Sequence, residues 1–134
     1  MKNLIIAFIV LCITLLTNCE KENIDGNTLT REKIIGKWTL VMHSEQIPIG
    51  APEQKHLYND SSYEFRQDQS ITINHSGNLT EDEWSILDDG KLLNIHDQTG
   101  IYYKIDKLDK DSLIFYRDFD EGNGPSRRTF YFKK

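Results

Sequence analysis

The chain has 134 residues, of which 38% are hydrophobic and 10% aromatic, enough for one domain with a single core and too little for two. Acidic residues outnumber basic ones by 21 to 16, and the formal net charge is −5 at pH 7. Phosphate groups are repelled by an acidic surface. Nucleic acid and anionic lipid headgroups are therefore not expected as partners.

The first residues are typical of an exported protein. Lys2 supplies a positive charge, and residues 4–16 form an uninterrupted apolar run of 13 residues. A helix needs about 20 apolar residues to cross a bilayer, so this run is too short for a permanent anchor and fits the apolar core of a secretory signal. Residues 1–18 are therefore predicted to be a signal peptide, and Cys12 would be removed with it.

The stretch Leu16-Thr17-Asn18-Cys19 resembles the lipobox of bacterial lipoproteins, in which a cysteine follows small or polar residues directly after the apolar run. The resemblance implies cleavage before Cys19, a diacylglycerol on its sulfur and a further acyl chain, such as palmitate, on its amino group. Two or three chains anchor a small protein stably in a membrane. The expected location is the cell envelope, as an outer membrane lipoprotein in the periplasmic or the surface leaflet. The alternatives are a plain secreted protein with a free Cys19 and a protein that keeps an uncleaved apolar tail.

Lipidation of Cys19 would leave the mature chain without a thiol, so no disulfide, redox pair or thiolate metal site is expected, and no cofactor is predicted. Residues 19–28 are polar and lack periodicity, which predicts a flexible tether. The folded domain is predicted to span residues 29–134. A short helix turn over residues 28–35, with Thr30 as its N-cap, would open it.

Apolar and polar side chains alternate from residue 36 onward, which is the pattern of a β-strand with one buried face. Trp38, Leu40 and Met42 are predicted to point inward and Lys37, Thr39 and His43 outward, with Val41 as the exception. Eight strands are predicted, over residues 37–44, 62–66, 70–75, 83–87, 92–96, 101–108, 112–118 and 128–133. Short turns between them favour pairing of sequence neighbours, so the expected fold is an all-β, eight-stranded antiparallel up-and-down barrel.

The motif Gly36-Lys37-Trp38, with a helix turn before it and a meander ending in the aromatic stretch 130–132, resembles the lipocalin-like domain of small bacterial lipoproteins. The resemblance covers residues 29–134 and implies a lipocalin-like barrel. A cation–π contact from Lys133 or Lys134 to Trp38 is expected at the end of the barrel.

Alternate loops of a meander emerge at opposite ends of the barrel. The predicted long loops, residues 45–61, 76–82 and 119–127, all belong to one end, which is therefore the expected mouth and the place for a partner. The first of these loops contains Ile47 and Ile49. It is predicted either to lie across the mouth as a lid or to pack its isoleucines on the rim.

Six residues are candidates for ligand binding. Strand alternation places His75, Arg117 and Arg128 inside the mouth, and Met42, Tyr103 and Trp84 on the inner wall. Arg117 and Arg128 lie on neighbouring strands. The two side chains are therefore expected to hold a carboxylate or phosphate together by charge-assisted hydrogen bonds. The competing interpretation is that both arginines pair with acidic residues of the rim, namely Asp97, Asp118, Asp120 or Glu121.

No metal site and no catalysis are predicted. The four histidines, His43, His56, His75 and His96, all fall at the mouth end. His43 and His96 are expected to point outward and His56 belongs to the predicted loop 45–61, which leaves His75 alone inside, whereas zinc needs several converging ligands. The adjacent carboxylates of residues 81–83 alternate between strand faces, and Ser112 has no identifiable histidine base. The protein is therefore not expected to be an enzyme.

Two functions of different classes follow. The first is a lipid-anchored lipocalin-like protein that binds a small apolar or anionic amphiphilic ligand at the mouth. The second is a surface module that binds a protein or glycan through its long loops, with Tyr58 and Phe119 as exposed contacts. The second is favoured if the inward aromatic residues fill the barrel. These are Trp38, Tyr63, Phe65, Trp84, Tyr103, Phe115, Phe130 and Phe132.

Overall fold

The computed structural model describes residues 25–96, 100–120, 122 and 124–134. Within them lie one helix, α1 (Gly26–Ile34), and nine strands. The strands are β1 (Gly36–Gln46), β2 (Gln54–Leu57), β3 (Ser61–Phe65), β4 (Ser70–His75), β5 (Asn78–Leu87), β6 (Leu92–Ile95), β7 (Ile101–Leu108), β8 (Ser112–Asp120) and β9 (Pro125–Lys133). The predicted signal peptide and Cys19 lie outside the described residues. No described helix is long and apolar enough to cross a membrane.

The strands form a closed eight-stranded antiparallel barrel, as predicted. β1 and β3 to β9 pair in chain order, and β9 closes the barrel by pairing with β1. The ninth strand, β2, was not predicted from the sequence. It pairs with the second half of β1, residues 42–45, beyond the part that pairs with β3.

The connection between β4 and β5 differs from the prediction. Strand β5 begins at Asn78 instead of residue 83, so the predicted loop 76–82 is a two-residue turn made by Ser76 and Gly77. Both turn residues have positive φ, 52° and 92°, which is the conformation of tight hairpin turns. The exposed polar residues Thr80 and Glu81 concealed this part of the strand in the sequence.

Helix α1 closes the end of the barrel opposite the mouth. It is capped by Asp25, whose carboxylate accepts a hydrogen bond from the Thr28 amide at 2.8 Å, so Thr30 is not the cap and the helix starts inside the predicted tether. Ile34, at its last turn, is fully buried in the core. At this closed end the Trp38 indole donates to the Ile34 carbonyl at 2.6 Å.

The predicted cation–π contact at the closed end is confirmed. The Lys134 ammonium lies 4.6 Å from the centre of the Trp38 ring. The eight aromatic residues predicted to point inward all belong to the core, six of them buried and the other two, Tyr103 and Phe130, packed against it. The core therefore extends from Trp38 at the closed end to Phe130 near the mouth.

Candidate functional site: the barrel mouth

A β-bulge in β1 turns His43 toward the mouth. Leu40 pairs with Phe132 and His43 pairs with Phe130, so the register between β1 and β9 shifts by one residue at Val41. Residues paired directly across antiparallel strands share a face, and a bulge adds one residue to one strand. The prediction that His43 points outward and Met42 inward is therefore wrong, because the alternation reverses after Val41.

His43 is the centre of a polar cluster at the mouth. Its ring stacks on that of His56, with the ring centres 4.6 Å apart, and lies 5.2 Å from that of Tyr58. The His43 Nε2 atom is 3.6 Å from the Glu45 carboxylate, and both side chains are largely buried. The bulge and β2 together bring these groups into contact, since His56 lies opposite His43 in the β1–β2 register.

Glu45 connects this cluster to Arg128. The Arg128 Nε and Nη2 atoms both lie 2.6 Å from the Glu45 Oε1 atom, and the residues are paired in the β1–β9 register. One of the two predicted arginines is thus neutralised. Its partner among the described residues is Glu45, on β1, which was not among the four acidic residues considered from the sequence.

Arg117 lies beside Arg128, as predicted, because the two residues are directly paired between β8 and β9. The centres of both guanidinium groups lie near the Phe119 ring, at 5.6 Å for Arg117 and 5.4 Å for Arg128, within the range of cation–π contacts. The Arg117 Nε atom is buried and has no hydrogen-bond partner among the described residues. Within the described ranges, Arg117 is therefore a cation with an unused donor.

The acidic residues expected to neutralise Arg117 have other contacts where the structure describes them. Asp118 binds Arg127 at 2.7 Å on the outer face, and Asp120 accepts a hydrogen bond from the Gly122 amide. Asp97 and Glu121 lie outside the described residues.

Burial lowers the pKa of His43 from 6.5. The neighbouring His56 and Arg128 lower the pKa further, while Glu45 acts in the opposite direction. The His43 imidazole is therefore neutral at pH 7. Among the described residues, Glu45 balances the charge of Arg128, whereas no acidic partner is found for Arg117.

Four other residues were predicted to bind a ligand. His75 is exposed, and its ring meets the edge of Tyr63 at 5.8 Å. Met42 pairs with Tyr131 and Leu57 on the outer face. Tyr103 packs inside against Phe115 and Phe130. Trp84 is buried at the closed end, where its indole donates to the Ser70 carbonyl at 3.0 Å. Arg117 and Arg128 therefore meet at the mouth, whereas Met42 and Trp84 lie away from it.

Aromatic rings fill the barrel below the mouth. The Phe115 ring lies 4.9–5.4 Å from those of Tyr103, Phe132 and Phe130, and Phe115 is fully buried. Close-packed rings at these distances leave no room for an inserted chain between them. A ligand at the mouth would therefore rest on Phe130 and Phe119 instead of entering the core.

Tyr58 and Phe119 are partly buried in the mouth, so the prediction that they are exposed contacts is wrong. In the loop between β1 and β2, the Ile49 amide donates to the Pro125 carbonyl at 2.7 Å, which fastens the loop to the start of β9. Ile47 and Ile49 are both exposed, at 41% and 40%.

Sequence reasoning missed Glu45 and His56. Both lie in the stretch 45–61, which was interpreted as a loop. The residues around them do not show the alternation of apolar and polar side chains that is typical of a strand. One signal was present in the sequence. Val41 is an extra apolar residue that interrupts the alternation of β1, and such an interruption is typical of a β-bulge.

No model of a known protein family matches this chain, and no curated protein matches its sequence. The geometry and chemistry of the mouth are therefore the basis for assigning a function.

Proposed function

We propose that the protein is a lipid-anchored, non-catalytic component of the cell envelope that binds a small anionic amphiphile at the barrel mouth. The supporting observation is the buried Nε atom of Arg117, which lies beside Arg128 and has no hydrogen-bond partner in the part of the chain that the structure describes. A buried donor without an acceptor costs about 1–3 kcal/mol, and a carboxylate or phosphate from a ligand would supply that acceptor.

The surroundings of Arg117 favour an amphiphile over a simple ion. Phe119 lies against both arginines, and Phe130 and Tyr58 add apolar surface near them. A ligand with a charged head and a short apolar part would use both kinds of contact. Because aromatic rings fill the barrel below, the apolar part would be short.

Replacing Arg117 by alanine is expected to weaken binding of octanoate by about tenfold to a hundredfold, since a charge-assisted hydrogen bond contributes about 1.5–3 kcal/mol. Calorimetric titration of the purified full-length protein measures this directly. Tryptophan fluorescence is unsuitable because Trp38 and Trp84 both lie at the closed end.

Arg127→Ala is the matched control. Arg127 is adjacent in sequence to Arg128 but faces outward, where it binds Asp118. This variant should bind octanoate like the parent protein, and neutral octan-1-ol should bind the parent at least tenfold more weakly than octanoate. Equal affinity for octanoate and octan-1-ol would contradict an anion site.

The proposed lipid anchor is tested separately by replacing Cys19, which lies outside the described residues. Cys19→Ser should move the protein from the membrane fraction to the soluble fraction of the cell envelope, because acylation at this position requires the sulfur. Mass spectrometry of the parent protein should show the added mass of a diacylglycerol and an acyl chain. An unmodified, soluble parent protein would argue for plain secretion.

A second function, a module that binds protein or glycan, is favoured by two observations. Aromatic rings fill the barrel, and the outer surface exposes Leu57 and Leu79, at 82% and 69%. Failure of octanoate and related anions to bind would leave this function as the better proposal.

A further inference from the structure

We propose that His43, His56 and Glu45 form a site for a divalent transition-metal ion such as Zn²⁺. One ligand atom from each of the three residues lies within 4.8 Å of the others. Two imidazoles and a carboxylate are a donor set that suits Zn²⁺ and its neighbours in the transition series. Its three ligands differ from the two arginines of the proposed anion site, although Arg128 of that site contacts Glu45.

The prediction that the histidines do not converge rested on His43 pointing outward. The bulge at Val41 removes that objection, and β2 places His56 directly opposite His43. The other two histidines take no part: His75 contacts Tyr63, and His96 lies 3.4 Å from the Ser85 hydroxyl. The cluster is therefore made by paired strands and not by chance proximity of loops.

Only a small adjustment brings the ligand atoms to bonding positions. Atoms bound at about 2.0–2.2 Å to a tetrahedral zinc ion are roughly 3.3–3.6 Å apart, so the cluster must contract by about 1 Å. His56 is exposed on the short strand β2, and its side chain has space to rotate. Three protein ligands would leave one position for water or a ligand anion.

Arg128 is compatible with this site. Both of its contacts reach the Glu45 Oε1 atom, which is also the oxygen 3.6 Å from His43 Nε2. The Oε2 atom has no contact with Arg128, and a rotation of the carboxylate would turn it toward the ion. Carboxylates that bind metals are commonly oriented by a hydrogen-bond donor behind them, and Arg128 occupies that position. The positive charge of Arg128 lowers the affinity for a cation without blocking access to it.

Co²⁺ is the spectroscopic probe for this site. Added to the purified full-length protein, Co²⁺ should produce the visible absorption of a low-coordinate complex, saturate at one equivalent and be displaced by Zn²⁺. His56→Ala should weaken Co²⁺ binding at least tenfold. The exposed position of His56 makes this substitution harmless to the fold.

His96→Ala is the matched control and should bind Co²⁺ like the parent protein. Glu45→Gln should weaken Co²⁺ binding while octanoate binding is kept or strengthened, because Arg128 loses its carboxylate partner. This variant separates the metal site from the anion site. Absence of the absorption band, or an equal loss in His56→Ala and His96→Ala, would overturn the proposal and indicate adventitious surface binding only.

Discussion

Replacing Trp38 by alanine is expected to lower the free energy of unfolding by about 3–5 kcal/mol, the range typical of a large aromatic residue removed from a core. Trp38 is fully buried between α1 and the barrel, with Lys134 over its ring. Its indole also donates to the Ile34 carbonyl, so it fastens the helix to the barrel. Urea unfolding followed by circular dichroism measures the change.

Trp38→Phe separates the hydrogen bond from the packing. The phenyl ring retains much of the buried volume but leaves the Ile34 carbonyl without its donor, which should cost about 1–3 kcal/mol. Domains are stable by only about 5–15 kcal/mol, so the alanine variant could fail to fold. In that case the milder Trp38→Phe variant still gives a measurable change in the free energy of unfolding. Tyr102→Ala is the control, since Tyr102 is 54% exposed and should change stability by less than about 0.5 kcal/mol. An alanine variant at position 38 as stable as this control would contradict the structure.

Replacing Gly90 by alanine is expected to destabilise the protein by more than the roughly 1–3 kcal/mol of backbone strain at a positive φ of 86°. A Cβ atom at Gly90 would lie 2.6 Å from the Gly26 carbonyl oxygen and closer still to the Thr30 hydroxyl. The turn between β5 and β6 therefore approaches helix α1 too closely for any side chain. Urea unfolding gives the loss of stability.

Gly77→Ala is the matched variant for this experiment. Gly77 has a similar φ of 92°, but a Cβ atom there would meet nothing within 4 Å. Both variants carry the backbone strain of a positive φ, but only Gly90→Ala disturbs the contact with α1. The difference between their losses of stability therefore measures that contact. Equal destabilisation would mean that this contact contributes nothing.

The contact between α1 and this turn shows what local sequence cannot reveal. The Gly26 amide donates to the Asp89 carboxylate at 2.9 Å, and the Gly90 amide donates to the Asn27 side chain at 2.7 Å. These partners are 63 residues apart in the chain. Residues 26 and 27 were assigned to a tether because the Gly26 amide and the Asn27 side chain bind a distant turn and form no local pattern.

The position of Arg117 and Arg128 could be predicted, because strand alternation and hairpin pairing are local properties of the sequence. Their partners could not. Glu45 reaches Arg128 only because β9 closes onto β1, a pairing between the two ends of the domain. Among the described residues, only Arg128 of the two arginines has an acidic partner, and that partner is supplied by a long-range contact that no spacing in the sequence indicates.

The sequence by itself determined the barrel and the identity of its core. Period-two alternation and turn residues specify strands, and eight strands with short links can bury their apolar faces by closing into a barrel. The tertiary structure alone decided which mouth residues meet. The bulge at Val41 exists only against β9, and β2 pairs with the part of β1 that lies beyond its pairing with β3. The chemistry of the cluster His43, His56 and Glu45 therefore depends on strand pairing and not on local pattern.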